Sequence, residues 1–221
     1  MVRDSSSTSH GREIRLWTLS HSDSEITEFL AEIGTSLLGL PGSTKHRAPP
    51  RRPNHASVVC WLDCGTICFL FGSDMEVASN TNRGWHAIVE SRQVLGKAAL
   101  FKVPHHGSES GHLPAVWSEL LVDQPVSLVT PFRRGSVALP KATDMDRIAG
   151  MSSVVYLTAN PTSRGQGPSR SRLSDKLIRR STKNGLRAAY LSSGAVRYRM
   201  PIDASNEARV SYTNGAIERR G

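Results

Sequence analysis

Two hydrophobic periods alternate along this chain. Residues 14–19 form a short apolar run of strand length around Ile14, Leu16 and Trp17. Ile26, Phe29, Leu30, Ile33, Leu37 and Leu38 then recur at three- and four-residue spacing, which predicts a helix over 23–38 with Ser20 or Ser22 as its cap. Residues 41–53 carry four prolines and five Lys, Arg or His side chains, the composition of a solvated loop. Residues 56–71 are β-branched and aromatic on either side of an Asp63–Thr66 turn, so they read as a hairpin. Further on, strands are expected over 99–103, 126–130, 154–158, 186–192 and 194–200. Helices are expected over 85–94, 113–121, 139–149 and 174–184, with a polar loop at 160–174. Residues 1–13 read as a disordered leader and 201–221 as a patternless tail, which leaves 14–200 as the folded unit.

Strands alternating with helices define an α/β protein, and the hairpins make its sheet mixed, flanked by helices. A chain of 221 residues suffices for one domain with its own core, while a hydrophobic content of 38% leaves room for long loops. Its longest apolar runs are far too short to span a bilayer, and its first residues lack the apolar core of a secretion signal. No membrane association and a cytoplasmic location are therefore expected. Cys60, Cys64 and Cys68 lack the paired spacing of a zinc site and are read as small core hydrophobes. The net charge of +9 is uneven: from Asn160 onward Arg and Lys outnumber Asp and Glu by thirteen to four. Such a surface suits nucleic acid or phosphate-rich substrates, although a solvated basic tail would have the same composition.

Two strand ends carry candidate chemistry. The apolar run Phe69, Leu70, Phe71 passes through Gly72 and Ser73 to Asp74 and Glu76, where small residues leave room for a cation beside a carboxylate. The next strand runs through Lys102 and Val103 into Pro104, His105, His106, Gly107 and Ser108. Adjacent histidines point in different directions, so one is free to meet a metal, because neutral imidazole is a common ligand, while the other packs nearby. His112 either reaches the same site or caps a helix.

Together these stretches, with Asn54 and Ser57-Val-Val upstream, resemble the metallo-β-lactamase hydrolases, and most closely the hydrolase domain of the DNA-uptake competence channel and its soluble relatives. The resemblance is strong over 54–131 and loose over 14–200. It implies an αββα fold and a metal-dependent hydrolase of phosphodiester type. Asp74 matches the carboxylate that bridges two cations, and His105 and His106 match the histidine pair of which one approaches the metal. The cofactor implied is zinc, with manganese or iron as alternatives; two such ions about 3.5–4 Å apart activate water and hold a substrate oxygen. Asn54 and Lys102 are read as structural.

The family's principal motif, His-x-His-x-Asp-His, is not in the sequence. His21-Ser-Asp-Ser-Glu resembles it faintly and reads as a helix cap. Nor does residues 136–141 supply the histidine that often follows the next strand. The expectation is therefore a hydrolase lacking its N-terminal half, inactive alone, with an exposed apolar face that favours oligomers. The alternative is a non-catalytic remnant or a module that binds nucleic acid or a partner.

Overall fold

Parallel strands need crossovers, and the alternation of strand and helix supplies them here. The computed structural model describes residues 6–7, 13–38, 54, 57–91, 96–134, 136–161, 177, 194–201, 208–213 and 215–220. β1 (Ser6–Ser7), β2 (Glu13–Thr18), β3 (Cys60–Asp63) and β4 (Cys68–Phe71) form an antiparallel run. β5 (Ala98–Lys102), β6 (Leu121–Val129) and β9 (Val154–Leu157) add to β4 in parallel. β12 (Ile217–Arg219) closes the far edge antiparallel to β9, completing a mixed sheet of eight strands. β7 (Phe132–Arg134) and β8 (Val137–Leu139) form a side hairpin, as do β10 (Val196–Arg199) and β11 (Arg209–Tyr212).

The α/β class and the mixed sheet agree with the sequence pattern. The hairpin of β3 and β4 turns where expected, with Gly65 at φ 84° and its N–H donating to the Asp63 carboxylate. α1 (Asp23–Leu38) starts from a reciprocal cap: the Glu25 N–H donates to Ser22 Oγ, and the Ser22 N–H donates to the Glu25 carboxylate. Ser22 is thus the cap, while Ser20 bridges β2 to the next strand through Ser57 and Val59.

Several boundaries differ from expectation. The expected helix over 139–149 is instead β8 followed by α3 (Ala142–Gly150), because the Asp144 carboxylate accepts the Lys141 N–H and sets the first turn there. β6 reaches back to Leu121, its first half masked in the sequence by Asp123, Gln124 and Pro125. The expected patternless tail carries β11 and β12, whose apolar signal is too short to read without their partners. The leader likewise contributes β1, paired to Glu13 and Ile14. Outside the described residues lie the loop over 41–53 (Asn54 begins what is described after it), the strand over 186–192 and, apart from the helical Leu177, the helix over 174–184.

The core gathers on the sheet face that carries Trp61 and Leu70. Trp61, Leu70, Phe101, Val129, Val155 and Leu157 are buried, and α2 (Gly84–Ser91) lays Trp85 and Ile88 over them. Phe101 stands edge-on to Trp85 and Trp117, and the Trp85 indole N–H donates to the Met75 carbonyl. Burying side chains of this size stabilises the fold by about 1.5–3 kcal/mol each. The opposite face of β2, β3 and β4 is apolar but open: Leu16 is 49% exposed, Val58 43% and Phe71 36%. Among the described residues, no helix is long and apolar enough to cross a membrane.

Candidate functional site

β4, β5 and β6 run parallel, so their carboxyl ends lie along one edge, where such sheets hold ligands. Asp74 follows β4, the two histidines follow β5, and Thr130 follows β6. The strand ends are stitched together: the Gly72 N–H donates to the Lys102 carbonyl and the His105 N–H to the Ser73 carbonyl. Gly72 is required for that approach, since a Cβ there would lie 2.9 Å from Pro104 Cβ and 3.0 Å from the Lys102 carbonyl.

The histidine turn is backbone-strained. His105, His106 and Gly107 take φ of 44°, 55° and 81°, and Ser73 opposite takes 51°. The left-handed region costs a non-glycine residue about 1–2 kcal/mol, and a fold retains it only where surrounding contacts fix it. Here the Gly107 N–H donates to the Pro104 carbonyl and the Ser108 N–H to the His105 carbonyl. From below, Arg147 of α3 donates to the Gly107 carbonyl at 2.9 Å while paired with Asp144.

The turn splays the two imidazoles, whose centroids are 6.2 Å apart. His106 places Nδ1 2.8 Å from the Thr130 carbonyl oxygen and stacks on Phe132 at 4.9 Å. Its Nε2 is 3.8 Å from Asp74 Oδ1. His105 points elsewhere. Its Nδ1 lies 2.9 Å from both Glu76 Oε1 and Ser110 Oγ, and Ser110 donates to the same carboxylate. Its Nε2 faces Asn54 Nδ2 at 3.4 Å.

Carbonyl and carboxylate oxygens only accept hydrogen bonds. In each neutral ring the proton therefore sits on Nδ1, and Nε2 keeps its lone pair. This is the arrangement in which metal-binding histidines are held, with the distal nitrogen anchored on an oxygen.

The structure thus brings Asp74 together with His106, and turns His105 toward Glu76 and Ser110. Two ligands about 2.0–2.2 Å from a tetrahedral zinc would be about 3.4 Å apart, so the Asp74–His106 gap suits one cation after a small adjustment. Among the described residues no three His, Cys, Asp or Glu side chains form such a group. Lys102 lies beside this edge, its ammonium pushed to a lower pKa by burial and partly restored by Asp74.

His112 does not reach the site. Its Nδ1 accepts the Trp117 indole N–H at 3.1 Å, and burial together with Arg147 lowers its pKa. Asn54, read from the sequence as structural, is a neighbour of His105. Ser110 and Phe132 carried no pattern of their own, and the Thr130 anchor is a backbone atom that no side-chain motif reveals. Comparison with protein-family models, curated proteins and solved structures finds no match for this chain.

Proposed function

We propose that this chain belongs to a metal-dependent hydrolase of the metallo-β-lactamase type acting on phosphodiesters. One observation carries the reading: two adjacent histidines at a parallel-strand edge are each anchored at Nδ1, and one offers its Nε2 to the gap beside Asp74. Asp74 and His106 would hold a zinc, manganese or iron ion. Such an ion supplies a hydroxide nucleophile and a positive charge for a phosphoryl oxygen. Thr130 and Phe132 fix the plane of the His106 ring. Glu76 fixes that of His105, whose Nε2 faces the Asn54 amide and so lies outside the gap beside Asp74.

Two donors are fewer than the three protein ligands that catalytic zinc sites use. Weak binding of a single cation and little or no turnover by this chain alone follow from that count. The same count favours a second reading, a binding module that has kept the fold of such a site without its chemistry.

Calorimetric titration with Zn²⁺ or Mn²⁺ tests the reading, with bis-p-nitrophenyl phosphate hydrolysis as the activity measure. One bound cation is expected. Asp74→Asn and His106→Gln should each weaken it by at least the roughly 10–100-fold that losing even an anchoring partner costs. Binding unchanged by both substitutions would sink the proposal. Turnover by the chain alone, abolished by Asp74→Ala, would show that two donors suffice.

A further inference from the structure

The hairpin of β10 and β11 leaves the sheet beside the site. The Gly194 N–H donates to the Thr158 carbonyl, and the Thr158 N–H donates to the Val129 carbonyl, next to the Thr130 that anchors His106. Only glycine fits at 194, because a Cβ there would lie 1.8 Å from the Thr213 carbonyl oxygen.

The two faces of this ribbon differ in kind. Directly opposed residues of an antiparallel pair share a face, and alternate residues along each strand share it too. Val196 opposes Tyr212 and Tyr198 opposes Val210, and the Tyr212 ring lies 6.4 Å from that of Tyr156 on β9, so this face turns toward the sheet. Arg197 opposes Ser211 and Arg199 opposes Arg209 on the other, and all four are exposed.

Like charges placed directly across a ribbon destabilise it. Among the described residues none of these three arginines has an ion-pair partner, whereas Arg219 at the end of β12 and Arg220 just beyond it are paired with Asp146 and Glu218. An anion contacted by both would relieve the repulsion between Arg199 and Arg209. Along β10, Arg197 and Arg199 are about 6.6–6.8 Å apart at the backbone, so their two side chains can reach separate phosphates of one polyanion.

We propose that this arginine face binds the phosphodiester backbone of a nucleic acid. It gives the hydrolytic edge a substrate class, and rests on the phosphodiesterase reading only for what then happens to the bound strand. Arginine also grips phosphate oxygens in pairs, which a lysine face would not do.

Binding is measured on the full chain by fluorescence anisotropy with labelled 20-nucleotide single-stranded DNA, duplex DNA and single-stranded RNA. EDTA is present, so metal site and hydrolysis play no part. Salt-dependent binding to at least one of the three is expected, and the comparison among them identifies the preferred backbone. The variant carrying Arg197→Gln, Arg199→Gln and Arg209→Gln should bind at least tenfold more weakly. Its slope of log affinity against log salt should become shallower by about 2–3, as expected for three lost phosphate contacts. Arg15→Gln, on β2 at the other side of the sheet, should leave both unchanged. Circular dichroism confirms folding, and the single Arg199→Gln variant gives a second reading should the triple variant unfold. The proposal is overturned if the wild-type chain binds none of the three polymers at low salt, or if the substitutions leave affinity and slope intact. It also fails if polyglutamate or phosphatidylserine vesicles bind as tightly, through the same arginines, as the nucleic acid does.

Discussion

His106 holds its Nδ1 2.8 Å from the Thr130 carbonyl oxygen. An acceptor at that distance decides which ring nitrogen carries the proton, and so which one faces Asp74. A backbone atom at the end of β6 thereby sets the chemistry of a side chain at the end of β5. Three predictions concern this edge and the layers beneath it, and a fourth concerns the opposite face of the sheet.

The first is the tautomer of both histidines. Nitrogen-15 spectra of histidine-labelled protein at alkaline pH should show protonated Nδ1 and bare Nε2 on His105 and His106. Glu76→Ala removes the His105 acceptor and leaves only Ser110, so its ring should shift toward the Nε2-protonated form while His106 is unaffected. A protonated Nε2 on either ring in the unsubstituted protein would contradict the geometry.

The second concerns Gly107. A Cβ there would lie 3.0 Å from Ile148 Cδ1 and 3.2 Å from Pro140 Cβ, on a backbone at φ 81°. Overpacking costs about 1–3 kcal/mol and the left-handed conformation about 1 kcal/mol more. Gly107→Ala should therefore destabilise the protein by about 2–4 kcal/mol, a fall in Tm of roughly 4–16 °C for a chain of this size. Gly34→Ala in α1 meets nothing within 4 Å and should raise Tm slightly, since Ala outranks Gly in a helix. Thermal melts of the two variants moving in the same direction would refute the packing argument.

The third is a pH dependence carried by His112. Burial and then Arg147 hold its pKa below the usual value near 6.5, and Trp117 donates to the nitrogen a proton would take. The unfolded chain therefore binds the proton more readily than the folded one. Stability from this group is complete above about pH 6.5 and declines as the pH falls from there toward the lower folded value. Urea melts between pH 7.5 and pH 5 should show this decline. In His112→Gln it should be shallower. An equal slope in both proteins would assign the acid sensitivity to other groups.

The fourth concerns the open face of β2, β3 and β4. Leu16, Val58 and Phe71 are exposed there, and apolar surface left open on one face favours association. Sedimentation velocity should show oligomers whose proportion rises with concentration, and Leu16→Lys with Phe71→Lys should shift the distribution to monomer. A monomer at all concentrations before substitution would show that this surface is tolerated in water.

Much of this protein is legible in its sequence. Period-two and period-three-to-four patterns are local properties, so they identify α1, the β3–β4 hairpin, β5 and β9 without any knowledge of their neighbours. Asp74 and the pair His105–His106 are legible for a related reason: each directly follows an apolar strand, and parallel strands bring such ends to one edge. Tertiary structure decided the rest. Only the pairing of β12 with β9 makes a strand of Ile217–Arg219, since three residues carry no period. Only the left-handed turn at His105 and His106 separates the two rings, sending one to Asp74 and the other to Glu76. Asn54, Ser110, Phe132 and the Thr130 carbonyl join the site through distance alone. The arginine face of the β10–β11 ribbon depends on register, because the sequence counts its charges and only the pairing of Arg199 with Arg209 puts them side by side.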